Sequence, residues 1–174
     1  MNIAYFMTFP ISVEDWQKNG SISRELEYLR KIFKGNKIYI FNYGSVDSQI
    51  KDKFVDFKFI KLCEYKSSNF LKFFSSIKFI LLNKKLLNSI QIVRSNQLWG
   101  SWLCLLVKII FKKKFILRCG YELYFNIVNE VNFLKSSIVY FISLILYKFS
   151  DNIVVTTKNL KLYFYKKYFV PYNK

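Results

Sequence analysis

The residues of this chain with the clearest potential for chemistry follow a short apolar run at 115–117. Arg118, Gly120, Tyr121 and Glu122 come directly after this run. An apolar run that ends in polar residues around a glycine is typical of a buried parallel strand reaching the edge of its sheet. Ligands of open α/β sheets bind just beyond the carboxyl ends of the strands. The pattern therefore predicts a ligand site here, with Glu122 as the candidate catalytic carboxylate. The alternative is a strand followed by a turn, with Glu122 in solvent.

Polar side chains recur at three other places close to the ends of predicted strands. These candidate substrate-binding residues are Asn19, Gly20 and Ser21, then Arg94 and Asn96, then Thr156 and Thr157. Backbone N–H groups after Gly20, at the start of a helix, could hold a phosphate or an acceptor hydroxyl. The same residues also fit an ordinary loop with a capped helix. Because buried arginine is rare, we expect Arg94 to face the cleft or to pair with Glu122.

The elements that must position these residues alternate between strand and helix along the whole chain. Strands are predicted at 2–9, 37–42, 54–62, 90–93, around 115–117 and at 152–155. Helices are predicted at 22–33, 70–87, 98–112, 133–149 and 158–168, with polar loops at 11–19 and 43–53. This alternation predicts an α/β fold. We expect one Rossmann-like domain over residues 1–174, with a mostly parallel sheet flanked by helices.

The composition excludes several kinds of site. The chain has no histidine, which removes histidine-based acid–base catalysis and most zinc and haem centres. Its three cysteines form no metal-binding pattern and no paired disulfide framework, as in proteins of a reducing compartment. No G-x-G-x-x-G, G-x-x-x-x-G-K-[ST] or D-x-D motif is present, which argues against a dinucleotide fold, a P-loop and a metal-bound donor. We therefore expect neither a metal nor a cofactor.

Charge and hydropathy point towards a membrane surface. The net charge is +17, from 28 basic and 11 acidic residues, so the protein must attract polyanions or anionic lipid. Three very apolar segments, at 70–82, 101–111 and 138–149, are interrupted or closely bounded by lysine. None supplies the roughly 20 apolar residues of a membrane span, so we expect helices that are buried or lie at a membrane face. The amino terminus lacks the features of a signal peptide.

Six stretches at the predicted strands and strand ends carry a resemblance to a known family. They are NIAYF (2–6), GSISREL (20–26), GNKIYIF (35–41), IVRSNQLWG (92–100), FILRCGYEL (115–123) and SDNIVVTTK (150–158). Together they resemble the N-terminal domain of bacterial family-4 glycosyltransferases over essentially the whole chain. The resemblance implies half of a GT-B architecture, in which two Rossmann-like domains face each other across a cleft. In that family the N-terminal domain binds the acceptor, and the C-terminal domain binds the nucleotide-sugar and supplies a glutamate pair.

The family also suggests roles for individual residues. Gly20 matches the glycine of the loop that approaches the donor phosphates. Many members have a histidine after the fifth strand, and Gly120 and Glu122 occupy that region here, so Glu122 is expected to accept hydrogen bonds from sugar hydroxyls. Thr156 and Thr157 match small polar residues that line the cleft.

The resemblance implies a sugar-transferring enzyme. The expected reaction moves a sugar from a nucleotide-sugar, without a metal, to a lipid-linked or surface-glycan acceptor such as those of lipopolysaccharide or capsule. The chain stops where the family crosses into its donor domain, so we expect that domain to be absent or separate and this chain to be inactive alone. The expected location is cytoplasmic, peripheral on the anionic inner face of the plasma membrane.

Two other functions are alternatives to a sugar-transferring enzyme. The first is a non-catalytic subunit of a split glycosyltransferase, which would anchor its partner at the membrane surface or hold the acceptor. The second is nucleic-acid binding. It is disfavoured, because the basic residues are spread over every predicted helix and do not form one stripe.

Overall fold

A computed structural model describes residues 1–120, 133–171 and 173–174, and over these residues strands and helices alternate as predicted. The strands are β1 (Asn2–Phe6), β2 (Lys37–Asn42), β3 (Phe57–Lys61), β4 (Ile92–Ser95), β5 (Lys114–Cys119) and β6 (Asn152–Val155). The helices described are α1 (Val13–Lys18), α2 (Ile22–Ile32), α3 (Ser48–Lys53), α4 (Asn69–Leu82), α5 (Lys84–Asn88), α6 (Trp102–Phe111), α7 (Phe133–Phe149) and α8 (Lys158–Tyr168).

The six strands form one sheet in the order β3-β2-β1-β4-β5-β6, and every pairing is parallel. This is the strand order of doubly wound α/β sheets, and it confirms the predicted Rossmann-like domain. The order reverses between β1 and β4, where Tyr5 lies opposite Arg94. Connections leave the two strands in opposite directions there, so a crevice opens at their carboxyl ends.

Two separate apolar clusters cover the two faces of the sheet. The front cluster includes Tyr5, Met7, Val13, Trp16, Leu26, Leu29, Ile40 and Ile50, so α1, α2 and α3 form the front layer. The back cluster includes Phe6, Phe41, Ile80, Leu87, Leu103, Val107, Phe115, Tyr147 and Phe164, so α4, α5, α6, α7 and α8 pack on the back face. The first four of these helices are called the back layer. Alternate residues of each strand point to opposite faces, which separates neighbours such as Tyr5 and Phe6.

Both predicted polar loops contain a short helix. Ser12 begins α1 with a capping box: its hydroxyl accepts the N–H of Asp15 at 3.1 Å, and the Asp15 carboxylate accepts the N–H of Ser12 at 2.7 Å. Asp47 begins α3 by accepting the N–H of Gln49 at 2.9 Å. The loop predictions for 11–19 and 43–53 were therefore wrong over these helices, because local side-chain caps stabilise helices too short to show an apolar period.

Several other bounds differ from the sequence prediction, among them those of β1, β3 and β4, predicted at 2–9, 54–62 and 90–93. The helix predicted at 70–87 is divided at Asn83, whose side-chain N–H donates to Phe79 O at 2.9 Å and ends α4. The helix predicted from residue 98 begins at Trp102, because Gly100 holds a positive φ of 97° just before it. The predicted bounds of α7, α8 and β6 are confirmed. Among the helices that the structure describes, none combines the length and hydropathy needed to span a bilayer.

Gly100 lies where the ends of β1 and β4 come together. A substitution at this position can show how closely the two strand ends are packed. A Cβ at this position would come within 2.6 Å of Phe9 N, which donates to Trp99 O at 3.2 Å. We expect Gly100→Ala to lower the free energy of unfolding by about 1–3 kcal/mol from backbone strain, with the clash adding to this loss. Urea denaturation of the purified chain measures the change.

Gly35→Ala is the matched control. Its φ is also positive, at 75°, but nothing lies within 4 Å of the added Cβ. The control should therefore show only the conformational cost, about 1–2 kcal/mol. If the two variants lose the same free energy of unfolding, the close approach of Phe9 adds no cost to an alanine at position 100.

Candidate functional site

A pocket of about 540 Å³ opens at the point where the strand order reverses. It lies between the α1–α2 connection and the carboxyl ends of β1, β4 and β5. The residues lining it are Thr8, Ile11, Trp16, Asn19, Gly20, Ser21, Arg24, Glu25, Asn96, Gln97 and Arg118. Five predicted site residues thus meet here, namely Asn19, Gly20, Ser21, Asn96 and Arg118.

The Asn96 side chain is the centre of a hydrogen-bond network at the base of the pocket. Its Oδ1 accepts from the Tyr5 hydroxyl at 2.6 Å and from Arg118 Nη1 at 2.9 Å. Its Nδ2 donates to Thr8 Oγ1 at 3.0 Å. Asn96 and Tyr5 are both buried, so the network links β1, β4 and β5 beneath the pocket. Buried polar groups that are hydrogen-bonded to one another hold one geometry, and this base is therefore preorganised.

Arg118 also joins the base of the pocket to helix α2. Its Nη1 lies 3.3 Å from Glu25 Oε2, and the other carboxylate oxygen of Glu25 lies 3.2 Å from Arg24 Nη2. Burial raises the pKa of the Tyr5 hydroxyl far above its usual range, and the guanidiniums of Arg118 and Arg94 offset only part of that effect. The phenol therefore stays protonated and acts as a hydrogen-bond donor.

The connection before α2 presents backbone groups to the pocket. Asn19 Oδ1 accepts from the N–H of Ser21 at 3.1 Å and from its hydroxyl at 2.6 Å. The Ser21 hydroxyl therefore does not cap α2, and this helix begins without a side-chain cap. Gly20 has a φ of 69°, with open space on the side where a Cβ would lie. Uncapped N–H groups at a helix start can bind an anion or an oxygen-rich ligand.

Arg94 does not line the pocket, so the first of its two predicted placements, facing the cleft, is not observed. Register with Tyr5 places it beneath α2, where it is 3% exposed and its Cζ lies 5.8 Å from the Tyr28 ring and 5.3 Å from the Phe33 ring. Within the described residues its Nε and Nη2 have no hydrogen-bond partner. The predicted pairing with Glu122 falls on a residue outside those described.

The ends of β5 and β6 are tied together beside the pocket. Gly120 N donates to Gln97 Oε1 at 2.9 Å, and the Thr156 hydroxyl donates to Gly120 O at the same distance. Thr157 caps α8 by accepting the N–H of Leu160 at 3.1 Å. Thr156 therefore joins two strand ends and Thr157 caps a helix, and neither lines the pocket. The predicted Tyr121 and Glu122 lie outside the described residues.

Sequence analysis missed several residues of this site. Tyr5 and Thr8 belong to an apolar stretch that gives no sign of a polar role. Arg24 and Glu25 could have been found, because they occupy the first turn of a helix that follows the predicted loop of Asn19 to Ser21. Among the described residues, no group of three or more His, Cys, Asp or Glu side chains is placed to hold a metal ion.

No protein-family model matches the chain, and no curated protein matches it significantly. Among solved structures, the chain is similar to a protein of unknown function from Vibrio parahaemolyticus, at 11% sequence identity and a TM-score of 0.43. That match covers 91% of this chain and 94% of the other.

The hydrogen bond between Tyr5 and Asn96 can be tested by a double-mutant cycle. We expect Tyr5→Phe to lower the free energy of unfolding by about 0.5–1.5 kcal/mol. Asn96→Ala should cost more, about 1–3 kcal/mol, because it leaves buried donors unpartnered. The two changes should couple by at least about 0.5 kcal/mol in urea denaturation. Simple additivity of the two losses would contradict a direct hydrogen bond.

Arg94 allows a second stability test. Because the described residues leave two of its nitrogens unpartnered, we expect Arg94→Met to be neutral or to raise the free energy of unfolding, by up to about 4 kcal/mol. Arg30→Met is the control, since Arg30 is exposed and its Nη2 lies 2.6 Å from Asp56 Oδ1. That variant should lose no more than about 1 kcal/mol. A loss of about 3–5 kcal/mol for Arg94→Met would instead reveal a buried ionic partner.

Proposed function

We propose that this chain is the acceptor-binding domain of a glycosyltransferase and works with a donor-binding domain in the same or a separate polypeptide. The observation that carries the proposal is the polar pocket at the reversal of strand order, with the uncapped start of α2 on one side and Arg118 on the other. Small-molecule sites of doubly wound folds lie at this position. The resemblance of the strand-end stretches to family-4 glycosyltransferases supports the same assignment.

The pocket has the chemistry to bind a sugar or a phosphate-linked sugar. Sugar hydroxyls need both donors and acceptors, and Ser21, Gln97 and Thr8 can supply both at the pocket wall. Two guanidiniums, of Arg24 and Arg118, flank the single carboxylate of Glu25, so the wall has a net positive charge that suits a phosphate.

The proposed reaction needs groups beyond those of the pocket. A bond forms between the sugar C1 and an acceptor oxygen, the bond from C1 to the diphosphate of the nucleotide breaks, and the proton of the acceptor hydroxyl passes to the departing diphosphate. Glu25 has both carboxylate oxygens in ion pairs, so it is poorly placed to take that proton. This favours acceptor binding as the role of the described residues, with the donor and its leaving group held by the second domain.

Calorimetric titration of the purified chain tests the proposal. The probes are short-chain alkyl diphosphates that carry a single sugar, as acceptor mimics, and a panel of nucleotide-sugars, as donors. We expect the chain to bind at least one acceptor mimic and no nucleotide-sugar. Arg24→Ala should weaken acceptor binding about tenfold or more, since a hydrogen bond to a charged group contributes about 1.5–3 kcal/mol.

Arg30→Ala provides the matched control, because it removes another exposed arginine of α2 that does not line the pocket. This variant should bind the acceptor mimic as the wild-type chain does. Tight binding of a nucleotide-sugar alone, weakened by Arg24→Ala, would overturn the assignment as an acceptor domain. It would identify the pocket as a donor site.

A second candidate function is the anchoring subunit of a split glycosyltransferase. The observation in its favour is the exposure of large apolar side chains on α4, where Phe70 is 71% and Leu82 is 69% exposed. An acceptor-binding domain needs the pocket for activity, whereas an anchoring subunit does not. If a donor chain is active only with this chain present, and Arg24→Ala leaves that activity unchanged, the anchoring function is favoured.

A further inference from the structure

The two helix layers of the sheet differ completely in acidic residues. No Asp or Glu lies between Glu64 and Glu122, a stretch that includes α4, α5 and α6, and none lies within α7. The front layer and its connections, in contrast, carry Glu14, Asp15, Glu25, Glu27, Asp47, Asp52 and Asp56. The described helices of the back layer therefore carry positive charge with no acidic residue of their own.

The back layer also exposes large apolar side chains on three neighbouring helices. Those exposed by more than half are Phe70, Leu71, Phe74 and Leu82 of α4, Ile109 of α6, and Leu134, Ile138, Phe141 and Phe149 of α7. Contacts of α6 with both α4 and α7 make these helices one layer. Large exposed apolar patches on monomeric proteins usually mark interaction sites, and these side chains lie on neighbouring helices.

Lysines are interleaved with these apolar side chains and follow the ends of the helices. Lys78 lies within α4, Lys84 and Lys85 follow in α5, and Lys112 and Lys148 lie at the ends of α6 and α7. In the described part of the chain, Lys108 pairs with Asp151 at 2.6 Å, whereas the lysines of α4 and α5 form no ion pair. The layer therefore combines apolar surface with free positive charge.

Exposed apolar side chains together with free lysines favour a lipid bilayer over a protein or a nucleic acid as the partner of the back layer. The cores of protein interfaces are depleted of lysine, which here lies among the apolar side chains. Nucleic acids bind positive charge but do not require exposed phenylalanine and leucine on neighbouring helices. An anionic bilayer uses both, since apolar side chains enter the boundary between headgroups and acyl chains while lysine ammonium groups remain at the lipid phosphates.

We propose that the back layer, formed by α4, α5, α6 and α7, docks on the surface of an anionic lipid bilayer. The front layer then faces away from the lipid, and the pocket at the edge of the sheet opens beside the membrane. The inference rests on charge and exposure in the back layer alone. It does not depend on the proposed transfer of a sugar.

Sedimentation with lipid vesicles tests this docking. The full chain is mixed with vesicles of phosphatidylcholine alone or of phosphatidylcholine with phosphatidylglycerol, and the bound fraction is measured over a range of salt. We expect partition into the anionic vesicles, with weaker binding at high salt because ions screen surface charges. Replacing Lys78, Lys84 and Lys85 by Gln should weaken this binding about fivefold for each lysine removed.

Matched variants of the opposite layer serve as controls. Replacing Lys31, Lys34 and Lys51 by Gln removes the same charge from the front side and should leave vesicle binding close to that of the wild-type chain. Phe70→Gln with Ile109→Gln should weaken partition into both kinds of vesicle. Val55→Gln, which changes an 81% exposed apolar side chain on the front side, should not. All these positions are exposed, so urea denaturation should show unchanged stability.

Several outcomes would overturn the proposal. Equal partition into neutral and anionic vesicles, or equal effects of front and back lysine variants, would exclude charge-directed docking through this layer. If the wild-type chain does not bind vesicles but forms a dimer that Phe70→Gln with Ile109→Gln abolishes, the layer binds a second copy of the chain. Arg24→Ala should bind vesicles normally, so failure of docking and failure of the proposed acceptor site can be told apart.

Discussion

The geometry of the candidate site depends on the carboxamide of Asn96. Its oxygen accepts hydrogen bonds from Tyr5 on β1 and Arg118 on β5, and its nitrogen donates to Thr8. A buried donor left unpartnered costs about 1–3 kcal/mol, so these side chains hold one another in a single arrangement. Arg118, fixed in this way, also reaches Glu25 and orients the first turn of α2. The pocket wall is thus set by contacts that lie beneath it.

The two helix layers form because both faces of the parallel sheet must be covered. A parallel sheet is buried on both faces, and here two apolar clusters meet that requirement with helices of different character. The front layer presents carboxylates and ion pairs to solvent. The back layer presents lysine and apolar side chains without a carboxylate in α4 to α7. The basic residues are distributed over both layers, so the asymmetry of the protein arises from the placement of its acidic residues.

Among the helices, the two with bounds predicted correctly are long, and the two missed altogether are short. The bounds of α7 and α8 followed from the sequence because each is long and bounded by polar residues or a capping threonine. The six residues of α1 and of α3 show no apolar period, and the caps at Ser12 and Asp47 gave the stronger signal. The division of α4 from α5 lies within a continuous helical pattern, at Asn83, whose side chain and backbone N–H both donate to Phe79 O.

The sequence by itself determined the alternation of strands and helices, the positive charge, the absence of histidine, and the polar residues at strand ends. Only the tertiary structure decided which of those residues meet. The Tyr5 and Asn96 pair is separated by 91 positions, and Glu25 and Arg118 by 93. Their contacts exist because β1 pairs with β4 and β4 with β5. Strand order results from the packing of the whole sheet between its helix layers, and the local pattern of residues around each strand does not encode it. Arg94, predicted to face the cleft or to pair with Glu122, lies beneath α2 because its register opposite Tyr5 directs it to the front face.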